Sequence, residues 1–188
     1  MNSRPLTSKS RRLALASLFA VIIFLSKAFL PPPIDDMFLI VQILLLVTSA
    51  LLMGPPGATY VSTLSGILKS VVTAGLAPFT IGLAVLYGVL TDGLLVAFRA
   101  RGAGGEVRTT RTALAAGVST ALTGLVSYYV TVGLFQLNLP GSFMIDMAIL
   151  LGGTISGFIG GWAATFIWKR YLVSLTAPSA VPAAQTKV

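Results

Sequence analysis

The sequence predicts an all-α membrane protein of six transmembrane helices, with the N- and C-termini cytoplasmic. Three observations predict it. Apolar runs recur from Leu13 to Trp168, and a helix rising about 1.5 Å per residue needs roughly 20 such residues to cross a hydrocarbon core of about 30 Å. Hydrophobic residues make up 55% of the 188 and charged residues only 10%, with a mean hydropathy of +0.91, which leaves no segment for a separate soluble domain. Most basic residues fall in breaks that six spans would place on one side of the bilayer, as positive-inside topology requires.

The breaks set the elements in order. The first helix, 12–30, carries the apolar run Leu13 to Leu30 that follows Arg11 and Arg12, and stops at Pro31-Pro32-Pro33, because proline lacks an N–H and clashes with the preceding turn. Lys27 and that triple proline stand where a signal peptide would carry a small-residue cleavage motif, so the run is read as a retained helix. The second helix, 37–53, ends at Gly54-Pro55-Pro56-Gly57, and the third, 57–74, stops near Gly75 and Pro78. The fourth, 78–98, gives way to Arg99–Arg111, where Gly102, Gly104 and Gly105 mark a flexible loop. The fifth, 112–134, is separated from the sixth, 143–168, by a loop holding Gln136, Asn138, Pro140 and Gly141. Residues 1–11 read as a cytoplasmic N-terminal segment, 12–170 as the transmembrane domain, and 171–188, with Pro178 and Pro182, as a flexible cytoplasmic tail.

Charge and composition narrow the function. Arg4, Lys9, Arg11 and Arg12 precede the first helix, Arg99, Arg101, Arg108 and Arg111 separate the fourth and fifth, and Lys169, Arg170 and Lys187 follow the sixth. An even number of spans puts all of these on the cytoplasmic side, leaving Lys27 and Lys69 toward the other. The net charge of +8 is thus a topological signal and not a nucleic-acid face. With no cysteine and no histidine, disulfides, thiolate metal sites and the commonest general base are absent. No G-x-x-x-x-G-K-[ST] loop occurs, so ATP-driven work would need partner chains. No catalytic residue, metal or cofactor is expected.

Small residues recur at four-residue spacing: Ala58, Ser62 and Gly66; Ala113, Gly117 and Ala121; Gly153, Gly157 and Gly161. Such stripes let helix backbones approach closely where no hydrophobic effect drives association. They are expected to pack within the bundle.

Two stretches carry a family resemblance. Arg12-Leu-Ala-Leu-Ala16-Ser-Leu-Phe-Ala20, closed by Pro31-Pro32-Pro33, resembles the first helix of substrate-binding S components of energy-coupling factor (ECF) transporters. Met53-Gly54-Pro55-Pro56-Gly57-Ala58, leading to Gly66, is similar to the G-P-x-x-G turn of several of them. The resemblance implies a six-helix prokaryotic plasma-membrane protein that binds a vitamin or related micronutrient at its outer face. It also implies energy from a transmembrane coupling subunit and two ATPase subunits, with Ala16 and Ala20 in the A-x-x-x-A pattern that contacts the coupling subunit. The lack of histidine disfavours a cobalt or nickel subtype. Trp162 and Trp168, the only tryptophans, lie toward the cytoplasmic end, which does not fit the tryptophan-lined thiamine site. A small vitamin or vitamin precursor remains.

Polar residues inside the membrane are expensive, and so are functional candidates. On this topology Gln42, Lys69, Tyr128 or Tyr129, Gln136, Asn138 and Asp146 converge near the outer surface, as a pocket for a small polar solute needs. Lys69 has three readings: contact with an anionic group of the solute, an ion pair with Asp146, or snorkelling to the headgroups. Asp146 in the first turn of its helix is also favoured there by the helix dipole. Tyr128 and Tyr129 are adjacent, so one at most faces the centre. Gln42 bonds either a ligand or another helix. Lys27, Asp35 and Asp36 frame the outer loop after the first helix and read as solvated loop charges before a lid over the pocket, and Asp92 reads as an interhelical hydrogen-bond partner or a contact for cytoplasmic arginines. The alternative is a non-catalytic structural or assembly membrane protein whose polar residues only join helices.

Overall fold

Proline and glycine breaks divide the apolar chain into rods, and the computed structural model follows them. It describes residues 9–29, 38–72, 77–102, 106–134 and 143–173. Among these are six helices: α1 (Lys9–Phe29), α2 (Leu39–Met53), α3 (Gly57–Val72), α4 (Ala77–Ala97), α5 (Thr109–Leu134) and α6 (Phe143–Ile167). A π-helical turn, Trp168–Leu172, prolongs α6.

α1, α4, α5 and α6 with its turn are long and apolar enough to cross a membrane. α2 (15 residues) and α3 (16 residues) are shorter, rising only about 22–24 Å. Leu18, Leu25, Val89, Leu151, Ile155 and Phe166 are among many large apolar side chains on the outside. A water-soluble domain would bury most of them; a bundle in lipid has no reason to.

The helices close a ring in the order α1, α3, α4, α5, α6, α2, with α2 also reaching α3 across it. The small-residue stripes are its seams, as expected. A Cβ on Gly161 would lie 3.0 Å from Ala113 Cα, one on Gly157 2.6 Å from Gly117 Cα, and one on Gly153 2.9 Å from Ala121 Cα. The α5 and α6 stripes therefore mate residue for residue. The third stripe meets α4: Ser62 Oγ donates to the Ala84 carbonyl at 2.7 Å, and Gly66 abuts the Ala84 side chain.

Ala16 and Ala20 correct an expectation. Both are 0% exposed within the core, on the face by which α1 packs against α3 and α2. Beside them Ser17 Oγ meets Tyr60 Oη of α3 at 3.0 Å. The alanines set a close approach inside this chain and so offer no docking face to a coupling subunit.

One end of the bundle is basic and cross-linked. α4 closes in a left-handed turn at Arg99 (φ 48°), with Arg99 N–H donating to Val96 O and Ala100 N–H to Leu95 O, both at 2.9 Å. Glycine usually occupies such a position. The chain then folds back, pairing Arg101 with Val107, and this aims Arg101 at the C-terminus of α2. Its guanidinium donates to the carbonyls of Leu51 and, at 3.4 Å, Ala50, and lies 6.0 Å from the Trp168 ring centre. A cation there satisfies carbonyls that the ending helix leaves unpaired. Burial, then the neighbouring Arg12 charge, lower the proton affinity of Arg101. Lys169 Nζ donates to Thr109 Oγ1 at 2.9 Å, tying α6 to α5.

Asp92 performs the complementary task on α3. The turn Gly54-Pro55-Pro56-Gly57 holds no Ser, Thr, Asp or Asn to cap the helix that follows. Asp92 reaches across from α4 instead and accepts bonds from Ala58 N–H (3.2 Å), Thr59 N–H (2.8 Å) and Thr59 Oγ1 (2.7 Å). Of the two readings for this residue, the interhelical one holds.

Candidate functional site

Toward the end of the bundle opposite the basic loop lies a cavity of about 300 Å³. Each helix near it contributes for a local reason. Lys27 enters from the last turn of α1 and Lys69 from the last turn of α3. Gln42 enters from the first turn of α2 and Thr80 from the first turn of α4. Ser65 stands one turn before Lys69 on the same face, as i and i+4 must. Thr123 and Ser127, also four apart, come from α5, and Phe24, Phe79 and Leu83 supply apolar wall.

Gln42 is the most informative of these side chains. It is 9% exposed, and its Oε1 has no hydrogen-bond partner. Leaving a buried acceptor unmet costs about 1–3 kcal/mol, and few such groups occur in a native fold. Ser65 Oγ is by contrast satisfied locally, donating to Ser62 O at 2.8 Å. Tyr87, deeper on α4, pairs its hydroxyl with Thr120 Oγ1 at 3.1 Å.

A second chamber of about 710 Å³ lies between α5 and α6. It shares Tyr87, Thr123 and Ser127 with the first, so these three form a partition. Its far side is made of Gly152, Gly153, Ala148 and Ser156 of α6 and Tyr128 and Thr131 of α5. Small residues on α6 leave the space open.

The predicted site residues divide accordingly. Gln42 and Lys69 come together in the smaller chamber, and Tyr128 lines the larger. Tyr129 turns outward and donates to Asp146 Oδ2 at 2.8 Å. Asp146 thus accepts a bond from a tyrosine hydroxyl, and it is not among the described lining residues of either chamber. Gln136 and Asn138 lie outside the described residues, as do Asp35 and Asp36.

Lys27, Thr80, Tyr87, Thr123 and Ser127 were not among the predicted site residues. Part of this was readable: Thr120, Thr123, Ser127 and Thr131 recur at spacings of three and four, a hydroxyl stripe along one face of α5. Lys27 was readable only as a loop charge or part of a lid, because a lysine four residues before Pro31 stands at the very end of its helix. Compared with known protein families, characterised proteins and solved structures, the chain matches none of them.

Proposed function

We propose that this chain is a membrane-embedded solute-binding subunit, similar to the S components of ECF transporters, that takes up a small vitamin or vitamin precursor through the smaller chamber. The observation that carries this reading is the buried Gln42 carboxamide, its Oε1 without a hydrogen-bond partner, set in a cavity with cationic and hydroxyl groups. Apolar walls with a few placed polar groups are what a small-molecule site needs. Transport would be energised by a separate transmembrane coupling subunit and two ATPase subunits. With Ala16 and Ala20 buried, that contact would fall on other surfaces of the chain, the basic end included.

In the proposed topology all six helices cross, α3 largely enclosed by α1, α2 and α4, and both termini are cytoplasmic. The contacts of Arg101 and Lys169 support it, since they gather the α4–α5 loop and the end of α6 at one pole. The chain lacks cysteine, so single-cysteine variants report topology directly. A membrane-impermeant maleimide should label Gln136→Cys in intact cells and Gly102→Cys only after permeabilisation. A Cβ at Gly102 meets only ordinary contacts, the nearest at 3.6 Å. Equal labelling of both variants in intact cells would refute the six-span arrangement.

The binding reading is tested by identifying small molecules released from the purified protein, wild type beside Lys69→Ala. We expect a near-stoichiometric solute in the wild type and at least about a tenfold loss in the variant, equal to about 1.4 kcal/mol, with the melting temperature little changed. A wild type that carries nothing and responds to no vitamin would favour a structural protein without a ligand.

A further inference from the structure

Several hydroxyl hydrogens around the smaller chamber are already spent. Ser65 Oγ donates to Ser62 O, and Thr123 Oγ1 to Ser119 O, both at 2.8 Å. Tyr87 Oη and Thr120 Oγ1 meet at 3.1 Å, but the one hydrogen of Thr120 goes to Ala116 O at 2.8 Å, so Tyr87 is the donor of that pair. The oxygens of Ser65, Thr123 and Tyr87 therefore offer the chamber lone pairs alone. Gln42 Oε1, buried and without a partner, is an acceptor as well. Four helices, α2, α3, α4 and α5, thus each bring an acceptor oxygen to one cavity, from Gln42, Ser65, Tyr87 and Thr123. A solute satisfies such a set by presenting N–H or O–H groups to it.

The larger chamber decides the charge of that solute. Tyr87, Thr123 and Ser127 line both chambers. Beyond them the described lining of the larger one is hydroxyl-bearing, apolar or glycine, with further hydroxyls on Tyr128, Thr131 and Ser156. A space with no ionic partner inside an apolar bundle disfavours any ion. An anion would also set its own acceptors against those of the smaller chamber. A cation would find no carboxylate among the described lining of either. Lys27 and Lys69 have partners within the chain, so their charges do not require an anionic solute.

Resting on the solute-binding reading above, we infer that the solute is a small uncharged molecule with two or more N–H or O–H donors along one edge, of the class of amides, amino-substituted heterocycles and polyols. Its donor edge lies in the smaller chamber against Gln42, Ser65, Tyr87 and Thr123. Its body passes Ser127 into the chamber between α5 and α6, among the hydroxyls of Tyr128, Thr131 and Ser156.

The test examines molecules released by denaturing the purified full-length protein. They are passed over anion- and cation-exchange resins at neutral pH and identified by mass spectrometry in H2O and in D2O, where each N–H or O–H hydrogen exchanges. Wild type is compared with Thr123→Val, Ser127→Ala and Gly152→Leu, and each melting temperature is recorded. A Cβ on Gly152 would meet nothing within 4 Å, so a side chain there enters the larger chamber with little disturbance of α6. Thr112→Val is the control: Thr112 makes the same kind of bond within α5, to Arg108 O at 3.0 Å, but lines neither chamber.

We expect a near-stoichiometric compound from the wild type that passes both resins and gains about 2 Da or more in D2O. Thr123→Val and Ser127→Ala should retain about three- to tenfold less of it, and Gly152→Leu about tenfold less through lost space. Thr112→Val should retain as much as the wild type. A compound held by either resin overturns the uncharged assignment, and one that gains no mass in D2O overturns the donor edge; both results leave solute binding intact. Full occupancy in both Thr123→Val and Ser127→Ala, or in Gly152→Leu, overturns the placement. An equal loss in Thr112→Val overturns the contact with Thr123. Release of phospholipid alone overturns the small-solute class. If the wild type releases nothing, the solute-binding reading falls and the inference with it.

Discussion

Asp92→Ala is expected to destabilise the bundle by about 2–4 kcal/mol, measured by denaturant titration of the purified protein in detergent. The carboxylate accepts three hydrogen bonds, two from backbone N–H groups in the first turn of α3 and one from the Thr59 hydroxyl. Those N–H groups have no carbonyl within their own helix. Asp92 is 6% exposed, so water is poorly placed to replace it. The same negative charge faces the positive end of the α3 dipole. Asp92→Asn keeps the shape and one acceptor oxygen but points N–H at N–H elsewhere, so about half of the loss should remain. An alanine variant as stable as the wild type would show that α3 needs no cap from α4.

The role of Asp92 shows which part of this fold was legible. Its depth marked it as a residue that needs a partner, and an interhelical bond was one of two readings. The identity of the partner was not legible, because nothing local points from Thr91-Asp92-Gly93 to Ala58 and Thr59. The clue lies at the other end of the contact, in a Pro55-Pro56 turn that starts a helix with no capping side chain of its own. A missing cap is a demand on the tertiary structure, and it can be read only by asking which distant carboxylate meets it.

Element bounds were legible for a different reason. Proline and glycine act within a turn or two of where they stand, so the predicted 37–53 and 78–98 became Leu39–Met53 and Ala77–Ala97. Helix facing was harder. Ala16 and Ala20 have the spacing of an interface, but spacing does not say whether the other surface belongs to the same chain or another. Here it belongs to the same chain. The candidate site was legible by depth and not by direction: Gln42 and Lys69 were placed at one level and share a chamber, whereas Asp146, at a similar level, turns to Tyr129. Depth follows from counting residues along a helix. Direction depends on how each helix is rotated against its neighbours, which in lipid is decided by fine steric fit and not by an apolar stripe.

That steric fit leads to the second large effect. Gly157→Leu should cost more than about 3 kcal/mol, or prevent the folded protein from accumulating. Any Cβ at this position would stand 2.6 Å from both Ala116 O and Gly117 Cα. Both are backbone atoms, so no side-chain rotation relieves the clash, and the two helices must part. Parting them would also unseat Gly153 from Ala121 and Gly161 from Ala113, because the stripes mate along a shared line. The control is Gly152→Ala, on the same helix, where a Cβ meets nothing and helix propensity alone predicts a gain of up to about 1 kcal/mol. Opposite signs at two glycines five positions apart would show that α6 is held by close backbone contact on one face while its other face borders open space. Equal losses at both would mean that α6 tolerates no side chain on either face, and the larger chamber would have no room for a ligand.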